Sequence, residues 1–125
     1  MPAGNETGPC YLAPMIEFDD FARVDMRVGR VLAAEHFSAA RKPSYKLRID
    51  FGPEMGERDS SAQLTVTYPD PASLVGHQVV AVVNFPPRRV AGFASEVLVL
   101  GAMGDDGDVR LLRPEPEAPI GSRIG

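Results

Sequence analysis

Residues Gln78 to Leu100 read QVVAVVNFPPRRVAGFASEVLVL. Two short, β-branched apolar runs flank a polar hinge, Asn84-Phe85-Pro86-Pro87-Arg88-Arg89. Runs of this length and composition, bounded by turn residues, read as buried strands. Pro86 and Pro87 have no amide hydrogen and a fixed φ, so neither can continue a ladder. The hinge is therefore a semi-rigid loop presenting two guanidinium groups and an amide at one end of a small β-structure. Arg suits phosphate or carboxylate recognition because its planar fork stays charged. Alone, two arginines on a loop are an ordinary surface feature, so the rest of the chain has to decide what they do.

Working outward, the strand signals repeat. Tyr45, Leu47, Ile49 and Phe51 alternate with Lys46, Arg48 and Asp50, which puts an apolar set inside and a charged set outside; Gly52-Pro53 ends the run. Ser60 to Tyr68 alternates similarly and predicts a third strand. The first strand is expected over Met26 to His36, with a bulge or bend at Gly29, where the apolar phase shifts. Asp19 to Arg23 reads as one helical turn. Pro69 to Gly76 reads as a turn and a short helix stopped by Gly76. Val97 to Leu100 is the second apolar run. Asp106-Gly107 predicts a hairpin into a last strand over Val109 to Leu112. Residues 1–15, rich in Gly, Pro and small polar side chains, are expected to be a disordered extension to a single domain over 16–125, with Met15 a plausible start of the core. The tail Pro114 to Gly125 is irregular.

Three strands, a short helix and two further strands, the first of them bent, match an all-β OB-fold. This is a five-stranded Greek-key barrel, here with short helices and a C-terminal extension. Such barrels bind oligonucleotides on the second and third strands, the first interstrand loop and the loop between strands four and five. Arg41 and Lys42 fall on that first loop, Lys46 and Arg48 on the outward face of the second strand, and Arg88 and Arg89 on the last loop. Six of the 13 basic residues thus converge on the expected binding surface. The net charge of −4 argues against a generic polyanion binder, so any cationic face is local.

Several classes are excluded. The single cysteine, Cys10, permits neither an internal disulfide nor a Cys-rich metal site. His36 and His77 are far apart, and nothing resembles a catalytic triad, so no enzyme is expected and no cofactor. Asp105-Asp106-Gly107-Asp108 lacks the spacing and closing Glu of a calcium loop. No apolar run reaches membrane-spanning length and no charged leader is present, which predicts a soluble, cytoplasmic chain.

Val79 to Val83 and Val97 to Leu100 are apolar in both phases, yet a small barrel buries one face. A two-fold homodimer is the expected cover, with the tail Pro114 to Gly125 folding back as the alternative. At this point the stretches FDDFARVDMRVGRVLAAEHF, YKLRIDFG, SSAQLTVTY and VVAVVNFPPRRVAGFASEVLVLG carry a likeness. The chain resembles the tRNA-binding domain family of OB-folds, and within it a branch of export-related chaperones; the likeness spans about Ile16 to Gly125. The resemblance implies a homodimer that binds tRNA. It also implies chaperone activity toward unfolded or precursor polypeptides near the dimer interface, with export machinery as a further partner. On this reading Lys42, Lys46, Arg48, Arg88 and Arg89 meet phosphates, and Asn84, Ser61, Gln63 and Ser95 hydrogen-bond bases or sugars. Phe85 or Tyr45 could stack on an unpaired base, although core packing is expected for both. Phe85, Phe93 and Met103 are the candidate peptide contacts. The alternative is a dedicated tRNA-binding module without chaperone activity.

Overall fold

The computed structural model describes residues 14–125. Cys10 and most of the expected N-terminal extension lie outside the described residues. Four long strands and one short one form the central sheet: β1 (Met26–His36), β2 (Tyr45–Asp50), β3 (Glu57–Ala62), β4 (Gln78–Val82) and β7 (Leu98–Val99). Their order is β3-β2-β1-β4-β7, all neighbours antiparallel. Two hairpins flank it, β5 (Arg88–Val90) with β6 (Phe93–Ser95), and β8 (Gly101–Met103) with β9 (Val109–Leu111). Among the described residues, helix is confined to α1 (Phe18–Ala22) and a 3-10 turn over Pro71–Leu74.

The sheet rolls because β1 serves two partners. Its first half pairs with β4 and its second half with β2, and the register slips between Val31 and Ala33. The bulge sits two residues beyond the expected Gly29 bend. Gly29 has a different duty: a Cβ there would lie 2.5 Å from Ile49 Cγ2 and 2.8 Å from Phe51 Cε1. The bent strand crosses the core at that point, and only glycine leaves room. The far edges then approach each other. The Glu96 amide donates to Asp59 O, the Asp59 amide to Glu96 Oε1 and the Ser60 hydroxyl to Val97 O, so β3 nearly closes the barrel. Inside lie Val31, Tyr45, Leu47, Ile49, Phe51, Leu64, Leu74, Val79, Ala81 and Val97.

β1 and the alternation of β2 fall where the sequence places them. Three expectations are corrected. The third strand is Glu57–Ala62, not Ser60 to Tyr68; beyond Ala62 the chain turns, with the Tyr68 amide bonding to Leu64 O. The polar Glu57-Arg58-Asp59 forms strand because antiparallel pairing with Ile49 and Asp50 demands it, and Ser60 is wholly buried by virtue of its bond to Val97. The second apolar run contributes only Leu98 and Val99 to the sheet.

The third correction concerns the cover of β4, all five residues of which are buried. The tail meets it at Gln78 and runs along the neighbouring β1. Gly121 and Ile124 donate to Val28 O and Met26 O, and the Val28 amide donates to Ser122 O, pairing the tail with the first half of β1. The Gln78 side chain clasps Ala118 through both its amide nitrogen and oxygen. Burial of β4 on both faces therefore needs no second copy of the chain.

Candidate nucleic-acid interface

A groove of about 1110 Å³ runs between the first loop, the end of β3 and the two hairpins. Arg41 and Lys42 of the first loop, Arg88 and Arg89 of the β5–β6 hairpin, and Ser61 and Gln63 all line it. Among the described residues no carboxylate lines it, although the chain as a whole carries four more acidic than basic residues. Like charges brought together without counter-ions create a local potential that favours an anionic ligand.

The Arg pair is held by a hairpin that the sequence hides inside a loop. Arg88 pairs with Ser95 and Val90 with Phe93, and Ala91 and Gly92 turn the corner with φ of 48° and 82°. Two successive left-handed residues make the tight turn that matches strand twist. Arg89 Nη1 donates to Gly92 O at 2.8 Å, and Ser95 Oγ accepts the Ser61 amide at 2.9 Å, tying the hairpin to β3. Before the hairpin, Asn84 anchors the Pro-Pro segment. Its side chain accepts from the Asp25 amide and donates to Arg23 O, so both of its polar ends are engaged with backbone.

The expected phosphate contacts therefore divide. Lys42, Arg88, Arg89, Ser61 and Gln63 share the groove. Arg48 does not: its guanidinium bonds Asp59 and Glu57, each at 2.9 Å, and these two carboxylates raise its already high pKa. Lys46 packs its ammonium over Phe37 and Phe93. Asn84 and Ser95 serve as clasps. Tyr45 is a core residue as expected, donating to Tyr68 O; burial, more than the nearby Asp70 charge, raises its pKa and keeps it a donor. Phe85 departs from the core reading and is 51% exposed, lying beyond the end of β4 in the segment that precedes β5.

Met103 lines the groove as well, together with Val90, Leu98, Val109 and Leu111. Met103 is among the expected peptide contacts; its apolar neighbours in the groove were not legible beforehand, since they come together only in the folded chain. The Asp106-Gly107 turn itself is as expected, with Gly107 at φ 80° and Asp108 paired to Arg110. That bond holds the Asp108 carboxyl below the usual range. Among the described residues there is no cluster of His, Cys, Asp or Glu able to hold a metal ion, and no helix long and apolar enough to cross a membrane.

Known proteins share this chain's sequence and fold. The profile of the tRNA binding domain family matches residues 26–123. The chaperone CsaA of Bacillus anthracis is 54% identical with a TM-score of 0.85, and the match covers 90% of this chain and all of that one. The CsaA chaperone protein of Picrophilus torridus is 45% identical at a TM-score of 0.82, over 89% of this chain and all of that one. The methionine–tRNA ligase of Neisseria meningitidis serogroup A is 38% identical over 99% of this chain, but the chain spans only 18% of the enzyme's length. By sequence and by barrel topology alike, the chain belongs to the tRNA binding domain family, as a CsaA-like member.

Proposed function

We propose that the groove binds the sugar–phosphate backbone of an unpaired stretch of tRNA. The carrying observation is that Arg41, Lys42, Arg88 and Arg89, from loops remote in sequence, face one carboxylate-free groove. Ser61 and Gln63 between them offer hydrogen bonds to sugars or base edges. The chain then acts as a binding module of the cytoplasm, not as an enzyme. A salt titration of binding to bulk tRNA tests it. Replacing Arg88 and Arg89 together by Gln should weaken binding and make the log–log salt dependence shallower by about one to two. An unchanged slope removes the pair from the site. Arg48→Gln, already neutralised by Glu57 and Asp59, serves as the contrasting variant.

The apolar lining supports a second role on the same surface. An extended polypeptide with alternating apolar and basic residues could lay its side chains on Leu98, Met103 and Val109, with Phe93 on the adjoining β6 and Phe85, which is exposed, as further contacts. On this reading the chain is a homodimeric, export-related chaperone for unfolded or precursor polypeptides. Ile16 and Phe18, 69% and 77% exposed, are the surface a second copy would cover. Suppression of aggregation of an unfolded client, competed by short apolar–basic peptides, is the expected result. Failure at molar excess leaves the dedicated tRNA-binding module. Light scattering reporting a 13.5 kDa particle would dispose of the dimer.

A further inference from the structure

Lys46 differs from the other cations of this region. Its Nζ lies 4.8 Å from the centre of the Phe37 ring and 5.0 Å from that of Phe93. The two rings meet edge to face, 5.4 Å apart at 67°. An ammonium within about 6 Å of an aromatic face is attracted by the ring quadrupole. Phe37 is buried, and its amide donates to Ser44 O, so it forms the base of the loop that carries Arg41 and Lys42. Phe93 pairs with Val90 in the hairpin that carries Arg88 and Arg89. Lys46 itself sits on β2, opposite Ser61 of β3. One ammonium thus joins the two cationic arms to the barrel wall, and Lys46 is not among the residues lining the groove.

We propose that Lys46 is a positioning residue. It clamps the β5–β6 hairpin against the first loop and so sets the spacing between the two cationic walls, and it does not itself neutralise a phosphate. The role rests on the reading that the groove takes tRNA, and the test separates the two. Binding of the full chain to bulk tRNA is followed across a salt series for Lys46→Ala and Lys46→Met. Amide hydrogen exchange is followed in the same variants without tRNA.

Lys46→Ala should weaken tRNA binding about five-fold with an unchanged salt slope. Lys46→Met keeps a long side chain whose sulfur can rest on the rings, and should recover most of that loss. Amides of β5 and β6 should exchange several-fold faster in Lys46→Ala, with those of β1 and β4 unmoved, which a general loss of stability would not produce. A slope shallower by about 0.7 in both variants would make Lys46 a phosphate contact and overturn the proposal. So would unaltered hairpin exchange in Lys46→Ala. If tRNA fails to bind even the unaltered chain, the groove reading falls, and hairpin exchange still decides the clamp.

Discussion

Gly29→Ala isolates the crossing point on which barrel closure depends. The new methyl carbon would lie 2.5 Å from Ile49 Cγ2 and 2.8 Å from Phe51 Cε1. Ordinary carbon–carbon contact is about 3.5–4.0 Å, so both neighbours must retreat by about 1 Å. Neither can do so freely, because Ile49 is 0% and Phe51 1% exposed and both sit in the close-packed core. Overpacking of this kind costs about 1–3 kcal/mol. Against it stands about 0.4–1 kcal/mol gained by stiffening the unfolded chain, since the Gly29 backbone is not left-handed. The net expectation is a loss of about 1–2 kcal/mol, which for a domain of this size lowers Tm by about 4–8 °C. Urea unfolding should show a lower midpoint at unchanged m, the sign of altered stability without altered exposed surface. Ile49→Leu removes the Cγ2 methyl, so the double variant should cost less than the sum of the singles. Stability of Gly29→Ala equal to or above that of the parent would refute the close crossing.

Three further perturbations follow from the same geometry. Ser60→Ala should cost about 1–3 kcal/mol in urea unfolding, because it strips the buried Val97 carbonyl of its donor; a loss under about 0.5 kcal/mol would mean that this bond does not hold the barrel seam. Ala91→Asn should stabilise the chain by about 0.5–1 kcal/mol, since φ of 48° burdens alanine and suits asparagine before Gly92; no rise in the urea midpoint would argue against the tight turn. The hydrogen bond from Arg27 lowers the Asp25 pKa and that from Arg30 lowers the Glu117 pKa, and both arginines sit on the half of β1 that holds the tail. A carboxyl depressed in the fold contributes stability above its unfolded value and loses it as pH falls through the folded one. Unfolding midpoints should therefore drop as pH falls below about 4, and less steeply in Glu117→Gln; identical acid limbs would remove that pair from the tail's attachment.

Much of the architecture was legible because it rests on local rules. Period-two alternation from Tyr45 to Phe51 can bury one face only, so β2 reads directly from its residues. Asp106-Gly107 announces its hairpin, and Pro71 with the Asp70 cap announces the short helical turn. The cationic loops were visible once the basic residues were set against the strand order. Two local signals misled. The alternation of Ala62, Leu64 and Val66 mimics a strand, while the residues that do form β3 are polar or charged except Ala62. The β5–β6 hairpin, turned by Ala91-Gly92, is too short and too mixed to announce itself between two strong apolar runs.

The chain by its residues alone determined an all-β barrel with a bent first strand, because side-chain period and glycine placement are properties of neighbours along the backbone. Only the folded chain decided which cations remain available. Arg41 and Arg88 come to line one groove with β3 tied to residues 95–97, whereas Arg48 is claimed by carboxylates that cross-strand register places beside it. Likewise the tail pairs with the first half of β1, because β2 pairs with β1 only from Arg30 onward and leaves that edge open. Charge pairing and edge cover depend on distances between segments remote in sequence, and those distances exist only once the sheet has rolled.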